Sequence, residues 1–551
     1  MAEERTGRAA FLVGSGIFAS RLAGLVRQRI FAHYLGASLA NDAFQGAFRI
    51  PNLLQNLFGE GVLSASFIPE YAGALARDQK REAQELAGAV FGALALVASV
   101  IVLLGVVAAP QLVGLLAGGG STLSSVIRPF EGVLPPSFVH WIASTGATPA
   151  EDALTTTLVR ILFPGAGLLV FSAWCLGVLN ANRRFLVSYM APLAWNAVMI
   201  AALLVYGPRR SADGLVIAVA WASVVGSAAQ FLVQLPSLRR VAPGIVPNFH
   251  FGMPSARRVF KQFSSAFLSR GVVQISAFVD LALAYHLPIG TVSSLAYAQN
   301  LYLLPGSLFG MSVSAAELPA MSSALGTTDE IAAQLRVRLN AGMERIAFFI
   351  VPCVIAFIVL GDIVTGAFLQ TGAFKRGNTV WVWEILIGST VGLLASTLGR
   401  LDASTYYALR DTRTPLKFAL VRIALTTVLG VIFAFQLPGW LGLDPKLGAA
   451  GLTASAGIAG WVEFILLRRG LTRRIGRTGL KAKYVGLLWI AGLGAAAIAS
   501  AGRLVVPTSR PLLLAALSLT TFGVGYLVFA AGLKVPDAVM IAGKLRRRSG
   551  V

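Results

Sequence analysis

Residues 41–60 read Asn-Asp-Ala-Phe-Gln-Gly-Ala-Phe-Arg-Ile-Pro-Asn-Leu-Leu-Gln-Asn-Leu-Phe-Gly-Glu. Within this apolar stretch Asp42, Gln45, Arg49, Asn52, Asn56 and Glu60 recur at i, i+3, i+7, i+10, i+14 and i+18. An α-helix turns about 100° per residue, so all six fall on one flank. At ~1.5 Å per residue the stripe runs about 27 Å, close to the ~30 Å hydrocarbon thickness of a bilayer. Charges at that depth are costly, and they face a bundle interior or a water-filled cavity. A polar path across the membrane implies that something hydrophilic passes through. The stripe predicts a transporter.

The rest of the chain supplies the membrane context. Of 551 residues, 56% are hydrophobic and 13% charged, with a mean hydropathy of +0.73, far outside the soluble globular range. About 14 stretches have spanning length. They lie near 9–35, 38–66, 83–109, 153–179, 186–207, 212–236, 259–287, 291–317, 339–360, 380–408, 415–437, 447–467, 482–502 and 511–533. Only helices and closed barrels satisfy their backbone groups in lipid, and apolar runs of this length read as helices. The expected class is therefore an all-α polytopic membrane protein.

The formal charge of +22 is not a nucleic-acid footprint, because of where it sits. With the N-terminus placed in the cytoplasm, basic runs such as Arg77/Lys80/Arg81, Arg239/Arg240/Arg257/Arg258 and Lys544/Arg546/Arg547/Arg548 fall in cytoplasmic loops and tails. The opposite loops hold Arg128, Arg209, Arg210, Lys375, Arg376, Lys446, Arg503 and Arg510. This positive-inside bias puts both termini in the cytoplasm. The first segment lacks the short apolar core and cleavage site of a signal peptide. Cys175 and Cys353 fall in spans and read as packing residues. His33, His140, His250 and His286 have no metal-ligand spacing, and no phosphate-binding loop or nucleophile elbow is present. No cofactor is expected beyond Na⁺ or H⁺ as a coupling ion, and no nucleic acid as partner.

The chain repeats itself at an offset near 250 residues. Ser20-Arg21, His33-Tyr34-Leu35, Leu57-Phe58-Gly59 and Pro69 have counterparts in Ser269-Arg270, Tyr285-His286-Leu287, Leu308-Phe309-Gly310 and Pro319. An offset of six helices gives both copies the same orientation, so two six-helix lobes in parallel pseudo-twofold repeat would enclose a central site. The expected division is 1–236 (helices 1–6, with an outer loop at 110–152), 237–467 (helices 7–12), and 468–551 (two further helices and a basic tail).

Ser20-Arg-Leu-Ala-Gly-Leu-Val-Arg27, Asn41-Asp-Ala-Phe44, Pro51-Asn-Leu-Leu54, Phe58-Gly-Glu-Gly61 and Phe67-Ile-Pro69 resemble the MurJ (MviN) lipid II flippases. So do Leu179-Asn-Ala-Asn-Arg-Arg-Phe185, Gly372-Ala-Phe374 and Tyr407-Ala-Leu-Arg-Asp-Thr-Arg-Thr-Pro415. The resemblance covers almost the whole chain. It implies the multidrug/oligosaccharidyl-lipid/polysaccharide exporter fold, with two lobes around a cationic cavity and two extra helices forming a lipid groove. It also implies alternating access in the bacterial inner membrane, carrying undecaprenyl-diphosphate-linked peptidoglycan precursor (lipid II) outward without enzymatic chemistry. Cell-wall synthesis machinery is an implied partner. In one place the chain departs from the family pattern. Where arginines are expected after Asn-Leu-Leu in helix 2 and in the middle of helix 8, it has Gln55 and Asn300, with Gln299 alongside.

Arg21 and Arg27 are the expected diphosphate ligands, since guanidinium offers a fixed fork of donors and a permanent charge. The competing reading has them pair with Asp42 or Glu60. Arg49 and Arg270 stand in for the missing arginines. Asp42, Asn52 and Glu60 are placed on the cavity wall, Asn52 being the preferred direct ligand because carboxylates repel a diphosphate. Arg400 and Asp402 are assigned to the cavity side of the second lobe, and Asn300 and Arg400 to the substrate-binding set. Asp280 either holds a cation or pairs internally with an arginine; the resemblance adds Asp411 and Thr427 to a cation site. The rivals are a flippase for another polyprenyl-linked glycan, a multidrug exporter of the same fold, a membrane glycosyltransferase and a non-transporting paralogue.

Overall fold

The structure, a computed structural model, describes residues 2–117, 148–322, 327–409, 411–501 and 511–548. The side chains of Glu60 and Arg270 lie outside the described set, as do residues 118–147 of the outer loop. All fourteen predicted stretches contain helix. By length and apolarity, nine helices among the described residues qualify as spans, or ten if one bent pair counts as a single crossing, so fourteen is not reached on that criterion.

In the first half the helices are α1 (Ala2–Leu35), α2 (Leu39–Phe58), α3 (Glu60–Ala76), α4 (Lys80–Val107), α5 (Ala109–Ala117), α6 (Pro149–Ala181), α7 (Phe185–Tyr206), α8 (Ala212–Leu232), α9 (Leu235–Val241) and α10 (Pro254–Tyr285). A turn with Gly36 at φ +57° ends α1, and Ser38 caps α2 by accepting from the Asn41 N–H at 3.4 Å. The predicted span 38–66 is broken at Gly59 into α2 and α3. A Cβ at Gly59 would lie 2.1 Å from the Gln55 carbonyl oxygen, so this chain path needs glycine.

Compactness divides the chain into residues 1–293 and 294–551. The first unit packs Phe67, Leu86, Val170 and Trp174 into one core, and the Trp174 indole donates to the Ala87 carbonyl at 3.2 Å. The expected boundary at 236/237 differs from this one because α10 packs on α2, α3 and α5. The closest α2–α10 approach is at Gly46, where the missing Cβ leaves room for the Tyr285 hydroxyl.

The second unit begins within α11 (Thr291–Pro305) and continues through a π-turn to α12 (Met311–Ser322). It then holds α13 (Thr328–Val359), α14 (Gly361–Leu369), α15 (Arg376–Thr390), α16 (Leu393–Ala408), α17 (Arg413–Val431), α18 (Leu437–Trp440), α19 (Gly448–Ile475), α20 (Ala482–Ser500), α21 (Pro511–Gly532) and α22 (Pro536–Arg548). Helices α15 and α16 are bent by 42° across Val391–Gly392. There a Cβ on Gly392 would sit 2.5 Å from the Gly457 Cα of α19, so backbone meets backbone. The C-terminal pair α20 and α21 is tied to α13, with Tyr526 donating to the Phe348 carbonyl at 2.7 Å and Tyr484 to the Glu344 carbonyl at 3.2 Å.

Candidate substrate site

In the first unit α1 lies along α7, which places Arg27 on Trp195. The guanidinium carbon is 4.4 Å from the indole centroid, and Nη1 is buried with no hydrogen-bond partner. Trp195 is fixed from the far side, its indole N–H donating to both the carbonyl and the hydroxyl of Ser223 at 3.2 Å. Phe48 of α2 packs against the same indole at 5.9 Å.

Next to Phe48 and Ser223 is a small hollow among α2, α6 and α8. Asn52 and Gln55 line it from α2, Gly165 and Ala166 from α6, and Ser223 and Ser227 from α8. Pro51 lines it too, inside α2, where proline cannot donate to the helical ladder. The assembly is a clamped arginine with an unspent donor, an aromatic platform, two amides and two hydroxyls. Such a set suits an anionic oxygen-rich group better than an apolar cation. Trp195, Ser223 and Ser227 were not singled out from the sequence; an indole inside an apolar span and two serines four residues apart were the signals available.

The polar stripe of α2 does not face one chamber. Asp42 is 3% exposed and accepts backbone N–H groups of Gly290 at 2.5 Å and Ser293 at 2.7 Å. It thus caps the chain turn at 290–293. This corrects its assignment to a cavity wall: both oxygens are engaged, and nothing is left to orient an arginine or meet substrate. Arg49, half-buried, is within electrostatic reach of Asp280 and Tyr285, the internal pairing weighed above. Asn56 donates to the Gln274 carbonyl of α10 at 3.3 Å, and Gln45 to Asn41 at 3.2 Å. Only Asn52 and Gln55 line the hollow.

Arg21 is exposed on α1, and six residues separate it from Arg27, about 240° around the helix, so the two do not converge. In the second unit Asn300 and Gln299 are exposed, the Asn300 amide donating to the Ala296 carbonyl at 2.8 Å. Arg400 is exposed whereas Asp402 is 0% exposed. Two residues are ~200° apart on a helix, so the expected joint cavity placement of this pair does not hold.

The expected cation set is corrected as well. Asp411 accepts from the Arg413 N–H at 3.0 Å, the Thr414 hydroxyl at 2.7 Å and Arg474 at 2.7 Å. It closes the turn into α17. Thr427 donates to the Ile423 carbonyl at 2.9 Å, sixteen residues further along, or about 24 Å on a helix. One ion cannot span that distance.

The hydrogen bonds from Thr414, with Arg474 beside them, hold the Asp411 carboxyl down from 3.8 to about 2. A depressed carboxyl stabilises the fold above the unfolded value of 3.8, and that contribution disappears as pH falls through 2. Asp411→Asn is therefore expected to lower thermal stability at neutral pH, to flatten the acid limb between about pH 4 and about pH 2, and to converge on wild type below that. The Asp411 side chain is 17% exposed and its partner Arg474 46%, so added salt shrinks part of the difference. An acid limb identical in wild type and variant would refute this cap.

A sequence profile of the family described as "Lipid II flippase MurJ" matches residues 31–531. "Lipid II flippase MurJ" of Burkholderia cenocepacia is 30% identical over 473 residues, covering 85% of this chain and 84% of that protein. "Probable lipid II flippase MurJ" of Rhizobium tropici is 28% identical over 472 residues, covering 84% and 80%. Among solved structures, "Lipid II flippase MurJ, inward closed conformation" superposes with a TM-score of 0.73 at 22% identity, covering 95% of this chain and 99% of that one. An inward-facing multidrug resistance MATE transporter of the MOP superfamily gives 0.59 at 16% identity, covering 82% and 95%. The last two establish the fold.

Proposed function

The chain belongs to the lipid II flippase MurJ family, and from that premise we propose that it moves an undecaprenyl-diphosphate-linked peptidoglycan precursor from the inner to the outer leaflet of the bacterial inner membrane. The observation that carries the reading is the Arg27 guanidinium clamped on Trp195 with a buried, unspent donor, the indole in turn touching Phe48 and Ser223 of the hollow that the amides of Asn52 and Gln55 line. Arg27 would grip the diphosphate, the amides would take sugar or phosphate oxygens, and the prenyl chain would stay in lipid. Amide side chains bind without adding charge, so Gln55 in place of an arginine shifts the grip toward hydrogen bonding and makes Arg27 the dominant cation.

The two repeat-related lobes would alternate access to the two leaflets, with both termini in the cytoplasm as the basic loops require. An electrical potential would reset the empty carrier, at roughly 2.3 kcal/mol per charge per 100 mV. No step of this cycle makes or breaks a covalent bond. The same-fold multidrug reading is less well supported, because amides, hydroxyls and an arginine are a poor lining for apolar cations. The coupling ion and any contact with cell-wall synthesis enzymes belong to this proposal too.

The test is conditional replacement. A strain depleted of its own lipid II flippase and given this chain is expected to keep growing, with inner-leaflet precursor at wild-type level. Lysis with accumulated inner-leaflet precursor, despite normal amounts of the protein in the membrane, would overturn the lipid II reading.

A further inference from the structure

Asp402, in the middle of α16, is 0% exposed, and neither carboxylate oxygen has a hydrogen-bond partner. Around it, Leu398, Leu401 and Tyr406 of α16 form one apolar core with Phe464 and Leu467 of α19. The nearby hydroxyls are already used. Thr405 donates to the Leu401 carbonyl at 3.1 Å and Tyr406 to the Leu467 carbonyl at 2.9 Å.

The charged groups on the neighbouring helices are engaged elsewhere. Arg468 of α19 is within electrostatic reach, yet its Nε and Nη2 donate to the Thr478 carbonyl at 3.1 and 2.8 Å. Glu317 of α12 faces Arg338 and Arg345 of α13 at 3.5 and 3.8 Å. Glu463 of α19 faces Arg422 of α17 at 3.1 Å, and Arg474 is held by Asp411. Glu384 of α15 stands near Asp444 and Lys446.

An ionised carboxylate in such surroundings has lost its solvation at prohibitive cost, and such groups neutralise instead. A hard cation would need about six oxygen ligands, and no described cluster of His, Cys, Asp or Glu surrounds Asp402 to supply them. A proton needs none of these. We propose that Asp402 is a proton-binding site of the second unit, loaded while α16 is packed as seen here and discharged when that packing opens. The 42° bend at Val391–Gly392, seated against Gly457 of α19, is where we place the movement that would carry Asp402 to water. This deepens the flippase reading by naming its coupling ion, and rests on that reading only for the transport measurement.

The experiment uses the full chain in nanodiscs. Infrared difference spectra of wild type minus Asp402→Asn at neutral pH are expected to show the carbonyl band of a protonated carboxylic acid, and Arg468→Gln is expected to retain it. No such band in wild type, or a band that emerges only in Arg468→Gln, would mean an ionised Asp402 held by Arg468 and would overturn the proposal. Should Asp402→Asn fail to fold, the band is sought in wild type with isotope-labelled aspartate and Arg468→Gln as reference. In vesicles, a gradient of one pH unit is expected to shift the steady-state leaflet ratio of a lipid II probe about tenfold per coupled proton in wild type and not in Asp402→Asn. An equal shift in both would also overturn it. If wild type moves no probe under any condition, the flippase reading fails, while the infrared band still decides the proton site.

Discussion

Arg27→Ala is expected to abolish rescue in the conditional-replacement strain while leaving the amount of folded protein in the membrane near wild type. The guanidinium contributes nothing to the fold through Nη1, which has no partner, and its main protein contact is the face of Trp195. For a diphosphate it would supply a charge-assisted bond of about 1.5–3 kcal/mol. The stacked geometry adds pre-organisation that a lysine cannot reproduce. Loss of both is expected to weaken headgroup binding on the order of a hundredfold, since each 1.4 kcal/mol is about tenfold. Arg27→Lys is expected to fall between, and Trp195→Leu to cost roughly tenfold by freeing the guanidinium from its platform. Full growth on Arg27→Ala with normal inner-leaflet precursor would remove Arg27 from the site.

Asp42→Ala should behave in the opposite way, as a defect of stability. Its carboxylate accepts two backbone N–H groups, from Gly290 at 2.5 Å and Ser293 at 2.7 Å, and is buried with them. Alanine leaves both donors buried and unsatisfied, at about 1–3 kcal/mol each. The expected result is a melting temperature lower by several degrees in detergent, and less protein in the membrane. Asp42→Asn keeps one acceptor oxygen and is expected to recover about half of the loss. Unchanged melting of Asp42→Ala would show that this cap is not structural. Together the two variants separate binding from folding: one empties the site in a stable protein, the other thins out a protein whose site is intact.

The helical architecture was legible because its cause is local. A run of apolar residues in lipid has to satisfy its own backbone, and every stretch chosen on that ground contains helix. The site was legible only in part, because what each α2 side chain meets is set by other helices. Asn52 meets α6 and α8, Asn56 meets Gln274, and Asp42 meets residues 290–293, partners about 110 to 250 positions away. Periodicity gives direction from one axis; it cannot give the neighbour standing in that direction. Arg27 could be chosen as a ligand from its type and depth, whereas Trp195 and Ser223, which hold it in place, could not. The pairing of Asp411 with Thr427 failed for a metrical reason, since Asp411 lies in the turn before α17 and Thr427 near the far end of that helix.

The Asp42 clasp also sets a timetable for biogenesis. The N–H donors it accepts from lie 248 and 251 residues downstream of it. At ~5–20 residues per second, a ribosome reaches them roughly 10 to 50 seconds after Asp42 has been made. For all that time the carboxylate must be sheltered by the insertion machinery or stay in water, so α2 can settle only once the start of α11 has begun to emerge.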